Sequence, residues 1–196
     1  LKGEPLTVIE FSNTTKFGRK RCLLDSEQRS TVYQHFARYE KNRNELGLWD
    51  DCDRVAATLR RINNLRSTDE FRYREVCYSK IHVDEVQDYT QAEIALFFLL
   101  SGPNALFLAG DPAQSVVEGV SCRFDEVRSV GYRLYRDDKS LCKPLQVNLN
   151  FRSHSGILDL AGAVLLRLFD VFPNSAMKTK PDRGLFRGPR PSIFHN

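Results

Sequence analysis

The chain has 196 residues, 41% of them hydrophobic, enough for one domain or one domain with an elaborated extension, which excludes a wholly disordered protein. Lys and Arg number 29 against 25 Asp and Glu, and the resulting formal charge of +4 is too small a surplus to imply a nucleic-acid partner by itself. The five cysteines, Cys22, Cys52, Cys77, Cys122 and Cys142, contain no C-x-x-C pair, which argues against a disulfide framework and a zinc site; with no apolar run of about 18 residues and no secretion signal, an intracellular protein, nuclear or cytoplasmic, is expected.

Residues 1–75 read as mostly helical, polar and rich in arginine. Val32, Phe36 and Tyr39 fall on one helical face, and Val55, Ala56, Leu59 and Ile62 on another. Basic residues gather at Lys16, Arg19, Lys20 and Arg21 and again from Arg60 to Arg74, a pattern that solvated helix faces also produce. The run Trp49-Asp50-Asp51-Cys52-Asp53 suits a helix start, where carboxylates meet exposed amides and the positive end of the dipole.

From Val76 onward short apolar runs alternate with helical ones, the pattern of a parallel sheet covered on both faces. Strands are predicted over 76–84, 105–109 and 145–149, and helices over 91–100, 124–132 and 153–170. The last helix carries Ile157, Leu160, Ala161, Val164, Leu165 and Leu168 in the i, i+3, i+4 rhythm of a buried face, with Asp159, Arg167 and Asp170 opposite. Residues 173–191, with four prolines, read as a loop or linker. Phe97, Phe98 and Phe107 are expected in the core, and His82 as a sheet-facing or packed histidine.

Three polar segments follow the strand-like runs, and ligands of open α/β sheets gather beyond the carboxyl ends of strands. The first is Asp84-Glu85-Val86-Gln87-Asp88, after Ile81 and Val83. Asp84 is placed to hold a magnesium ion, which takes few protein oxygens and keeps waters, and Glu85 to take a proton from an attacking water. Gln87 and Asp88 add an amide and a third carboxylate; an acidic turn that merely caps the next helix fits as well. The second is Gly110-Asp111-Pro112-Ala113-Gln114-Ser115, where glycine permits close backbone approach and the Gln114 amide both donates and accepts. A plain polar turn has the same composition. The third is Asn150-Phe151-Arg152-Ser153, a planar cation beside an aromatic ring, suited to a transferring phosphoryl group and a stacked base, or to an ordinary helix start. Each four-residue pattern arises by chance at roughly 10⁻³, so the three in sequence are improbable as coincidence.

Taken together, Val83 to Asp88, Gly110 to Ser115 and Leu149 to Ser153 resemble motifs II, III and IV of the UvrD/Rep-like superfamily 1 helicases, and within them are most similar to the large helicase-like proteins that carry TPR and ankyrin repeats. The resemblance covers Val76 to about Asp170. It implies a partial RecA-like P-loop NTPase core, an α/β fold with a parallel sheet and flanking helices, preceded by a helical insertion. The implied division is 1–75 for the insertion of the first RecA-like lobe, 76–149 for the C-terminal part of that lobe, and 150–196 for motif IV and the start of the second lobe.

The resemblance further implies ATP and Mg2+ as cofactors, Asp84 as metal ligand, Glu85 as catalytic base, Gln114 as γ-phosphate sensor and Arg152 as γ-phosphate arginine. Gln87, Asp88, Gly110, Asp111 and Phe151 would line the nucleotide. Phe151 stands where the family usually has tyrosine, keeping the stacking face and losing the hydroxyl. Pro112 and Ala113 replace charged residues without touching Gln114. The implied function is ATP-driven movement along DNA or RNA, single-stranded by preference, in concert with the rest of a parent chain; the alternative is a helicase-like, non-unwinding interaction module in a repeat-rich protein. A nuclease built on the acidic cluster is weaker, because two-metal sites draw ligands from several elements. No G-x-x-x-x-G-K-S/T run occurs, so this segment alone is expected to bind ATP feebly and hydrolyse none. Leu1 at the start and the strand-like residues 191–196 lead us to expect a piece of a longer chain whose phosphate loop lies upstream.

Overall fold

The structure is a computed structural model describing residues 6–13, 22, 24–114, 124–135, 143–173 and 178–192, the side chains of Pro103 and Asp125 apart. The basic group Lys16, Arg19, Lys20 and Arg21, together with Ser115, Cys122, Cys142 and residues 193–196, lies outside the described residues. The chain divides into two compact units, Leu1–Glu75 and Val76–Asn196.

The first unit is built of helices α1 (Val8–Ser12), α2 (Ser26–Glu45) and α3 (Asp51–Thr68), with most of α4 (Glu70–Val76) following. Its start signals are chemical. Asp25 caps α2 and Asp50 caps α3, each in a reciprocal box with the third residue of the helix, so the acidic run after Trp49 opens α3 as its composition predicts. Leu59 and Ile62 of α3 are buried. The predicted apolar face of α2 is not: Val32, Phe36 and Tyr39 all remain exposed, and the buried residue of that helix is Arg29. Its guanidinium donates to the carbonyls of Cys22 at 2.8 Å, Leu24 at 3.0 Å and Phe11 at 3.3 Å, tying the preceding chain to the helix with polar bonds.

A second polar knot joins α2 to the start of α3. The guanidinium of Arg43 lies 2.6 Å from Asp53, 2.8 Å from Glu40 and 3.2 Å from Asp50, while the Tyr39 hydroxyl donates to Asp50 at 2.6 Å. The Tyr39 bond, helped by the Asp53 N–H, holds the Asp50 carboxyl below the usual carboxylate range and raises the Tyr39 hydroxyl.

In the second unit β1 (Ile81–Val83) pairs in parallel with β2 (Leu106–Leu108), Ile81 opposite Leu106 and Val83 opposite Leu108. Between them runs α5 (Gln91–Ser101), opened by a Thr90 and Glu93 capping box, and α5 packs against α6 (Phe124–Tyr135). Ile94, Ala95, Phe98, Leu99, Val127 and Val130 are buried, each large side chain among them contributing about 1.5–3 kcal/mol. The two helices are also bridged by Gln91, which donates to Glu126 at 2.7 Å and accepts from Arg133 at 2.9 Å.

Several sequence expectations change here. The first strand is three residues rather than nine, because α4 runs on to Val76. The third, β3 (Leu149–Asn150), keeps only the end of its predicted span and pairs in parallel with β4 (Arg183–Gly184), from the proline-rich stretch expected as loop. Among the described residues there are thus two separate two-stranded parallel sheets instead of one. Phe107 is 60% exposed, against the expected core position; its ring stands 5.6 Å from that of His82, its register partner. Helix α7 (Ser155–Val171) forms as predicted, yet Ile157, Leu160, Val164 and Leu168 are exposed and the buried residues are Gly162 and Phe169. Among the described residues no helix is long and apolar enough to cross a membrane.

Candidate active site

The carboxyl ends of β1 and β2 form one hydrogen-bonded corner. Beyond the paired strands the ladder continues: Ala109 N–H donates to the Val83 carbonyl and Val86 N–H to the Ala109 carbonyl, both at 2.9 Å. To bring Val86 back to Ala109 the chain must reverse over Asp84 and Glu85. Glu85 makes that reversal in the left-handed region, at φ 53° and ψ 42°, a conformation that costs a residue with a side chain about 1–2 kcal/mol. Strain of this kind persists only where the surroundings over-determine it. Here the Glu85 N–H is held by Asp84 Oδ1 at 2.9 Å, and the Glu85 carbonyl accepts from Asp88 N–H at 3.0 Å.

The single 3-10 turn Val86–Asp88 then carries Val86 and Gln87 into the interior, 1% and 2% exposed. The Gln87 amide uses both ends. Its Nε2 donates to Glu85 Oε2 at 2.7 Å, and its Oε1 accepts from Asp111 N–H at 3.0 Å. Gly110 makes the approach possible: a Cβ there would lie 2.9 Å from Val86 N and run into the Gln87 amide oxygen. Asp111 in turn closes its own turn, Oδ1 accepting from Ala113 N–H at 2.9 Å and Oδ2 from the Gln114 amide at 2.8 Å.

Asp84, Glu85, Gln87, Asp111 and Gln114, from segments more than twenty residues apart, are therefore one bonded constellation, with Gly110 packed against Val86 and Gln87 within it. Asp84 and Glu85 are exposed at its rim, and Gln114 is exposed at the far side of the Asp111 turn. The Asp88 carboxylate is not part of this group, its Oδ1 buried and without a hydrogen-bond partner among the described residues. A single carboxylate with an open side fits a magnesium ion, which takes one or two carboxylates and completes its shell with waters and phosphate oxygens. Among the described residues no group of three or more His, Cys, Asp or Glu side chains forms a closed metal cage.

The Arg152 turn is built differently. Asn150, the last residue of β3, folds its side chain forward so that Oδ1 accepts from the N–H groups of Arg152 at 2.8 Å and Ser153 at 2.9 Å. Its Nδ2 donates to Asp182 at 3.3 Å, and at the start of α7 Ser155 N–H donates to the Phe186 carbonyl at 3.0 Å. Phe151 and Arg152 both project into solvent, and among the described residues no hydrogen bond or ion pair joins Arg152 to the Asp84–Gln114 group. The sequence by itself assigns no role to Asn150 or Asp182; an Asn directly before an aromatic-Arg pair at a strand end is the available signal.

Comparison with known proteins adds lineage to this geometry. The human TPR and ankyrin repeat-containing protein 1 is 38% identical over 189 residues, covering 92% of this chain and 6% of the relative. The ATP-dependent DNA helicase PcrA of Staphylococcus epidermidis is 28% identical over 141 residues, 71% of this chain and 18% of the relative. An ATP-dependent helicase/nuclease component from Streptococcus sanguinis is 30% identical over 99 residues, half of this chain and 8% of the relative. The chain thus spans less than a fifth of each of these relatives. Residues 10–118 match the UvrD/REP helicase N-terminal domain, and the chain belongs to that family.

Proposed function

We propose that this chain is the part of an ATP-driven superfamily 1 helicase or translocase that carries the hydrolytic residues of the first RecA-like lobe and the opening of the second. Residues 1–75 serve as the helical insertion, 76–149 as the C-terminal part of the first lobe, and 150–196 as the entry to the second. The observation that carries the reading is the bonded constellation at the carboxyl ends of two adjacent parallel strands, which joins the carboxylates of Asp84 and Glu85 to the amides of Gln87 and Gln114 at one corner.

Asp84 would hold magnesium, which when bound would neutralise charge on the phosphate oxygens. Glu85 accepts the proton of the attacking water. One of its carboxylate oxygens is anchored by Gln87, which leaves Oε1 for that water. Gln114 meets the terminal phosphate, its amide oriented by Asp111. Arg152, on its own turn, stabilises charge on the transferring phosphoryl group, and Phe151 offers its exposed ring to the base. The phosphate cradle is not within these 196 residues, which contain no G-x-x-x-x-G-K-S/T run, so the segment in isolation hydrolyses no ATP. DNA or RNA is the track.

The test is Glu85→Gln in the complete protein. Nucleotide binding is expected to survive while nucleic-acid-stimulated hydrolysis falls about 10²- to 10⁴-fold, the usual worth of a general base. Unchanged turnover overturns the assignment. A second reading, a helicase-like interaction module without unwinding, is favoured by the 38% identity to a relative named for TPR and ankyrin repeats. It predicts that the complete wild-type protein shows no ATP hydrolysis with either single-stranded DNA or RNA.

A further inference from the structure

Gln87 was assigned by resemblance to the nucleotide, but its surroundings point elsewhere. It is 2% exposed, and both ends of its amide are engaged by protein groups. The orientation of that amide follows from the partners: a backbone N–H at Asp111 can meet only the oxygen, and the Glu85 carboxylate can meet only the NH2. Contact with a nucleotide would require breaking both bonds and prising Gly110 from Val86, against which it lies too close for a Cβ. A side-chain amide donates from one end and accepts at the other at a fixed spacing. A carboxylate at 87 could not donate to Glu85, and an apolar residue would leave the Asp111 N–H buried without an acceptor.

We infer that Gln87 is a positioning residue that ties the base-bearing turn to the Gly110–Gln114 turn, so that the orientation of Glu85 depends on the placement of Gln114. The inference rests on the functional reading above for the roles of Glu85 and Gln114. The bonded link itself does not: Glu85 Oε2, Gln87 Nε2, Gln87 Oε1 and Asp111 N form one continuous path between two segments 24 residues apart. A displacement of the Gln114 turn on meeting a terminal phosphate is thereby transmitted to the carboxylate that must face the water. The strained backbone of Glu85 adds to the coupling, because its side chain is held over the Gln87 amide by a conformation that the Val86 to Ala109 bond imposes.

The experiment uses the complete protein with two substitutions. Gln87→Met keeps the bulk and removes both polar ends; Gln87→Glu keeps the shape and replaces the donor with a second carboxylate. Three quantities are read for each: KM for ATP, kcat, and amide hydrogen exchange over residues 110–114 with helix α5 as the internal control for folding. For both variants kcat is expected to fall about 10- to 100-fold, the cost of a base misplaced by about an ångström, with KM for ATP within about twofold. Exchange over 110–114 rises in Gln87→Met, which removes the acceptor of the Asp111 N–H, and stays near wild type in Gln87→Glu, which keeps an acceptor there, while α5 is unchanged in both.

A raised KM with unaltered kcat and unaltered exchange overturns the inference and returns Gln87 to the nucleotide; so does the absence of any change. If the wild-type protein hydrolyses no ATP, the functional reading falls and the exchange measurement still decides the link. Faster exchange at 110–114 in Gln87→Met upholds it, and unchanged exchange refutes it. Loss of α5 protection in one variant marks a folding failure, and the other variant then decides.

Discussion

The corner that holds Glu85 and the turn that holds Arg152 follow similar short parallel strands but are secured in opposite ways. The Glu85 corner is held by its neighbour in space: Val86 bonds to Ala109, Gln87 to Asp111, and Gly110 yields the room. The Arg152 turn is held mostly by itself, through the Asn150 side chain folding onto the next residues, with Asp182 and Phe186 steadying its ends. In the role proposed for Glu85, a base needs a fixed angle to a water, and a remote partner supplies that angle. In the role proposed for Arg152, a cation that reaches toward a phosphate needs length and freedom, and a local turn with an exposed side chain leaves both.

The contrast can be broken most sharply at Arg152. Arg152→Ala in the complete protein is expected to lower kcat for ATP by about 10³- to 10⁵-fold, the range for arginines that stabilise transferring phosphoryl groups, with the melting temperature unchanged because the side chain is exposed. A drop in thermal stability of matching size would show the residue to be structural. Next in size is Gly110→Ala. The added methyl meets Val86 and Gln87, so about 1–3 kcal/mol of stability should be lost in urea titration, as in other overpacked sites. An unchanged midpoint would mean that the two turns are not pressed together. Smallest is Asn150→Ala, which removes two side-chain acceptor bonds near the start of α7 and should cost about 0.5–2 kcal/mol, as the loss of a cap does. If its cost exceeds that of Gly110→Ala, the Arg152 turn is the more constrained of the two.

How far the chain could be read in advance differs between these regions for a physical reason. The polar clusters after Val83, Ala109 and Leu149 were visible because an apolar run that ends on charge marks where a strand leaves the sheet. The cap at Asp50 was equally visible, since capping is a contact over three residues. Gln87 was not. A glutamine two residues after a glutamate carries no sign of whether it faces water or the interior, and its direction here depends on Asp111, 24 positions away. Nor was Arg29, whose burial depends on three carbonyls contributed by segments on its amino-terminal side. The apolar rhythm of α7 correctly announced a helix, and misled about what it touches: periodicity reports that a face is apolar, not that anything covers it. The proline-rich stretch hid β4 because a two-residue strand leaves almost no pattern.

The sequence by itself determined the helices, their caps, and the identity and order of the polar groups that follow three strand ends, since each depends on residues within a turn or two of one another. Only the tertiary structure decided which of those groups share a corner, that Gln87 faces inward between two turns while Arg152 faces out, and that β3 takes β4 rather than β1 or β2 as its neighbour. Those outcomes turn on hydrogen bonds between segments far apart along the chain, whose distances exist only after the backbone has folded.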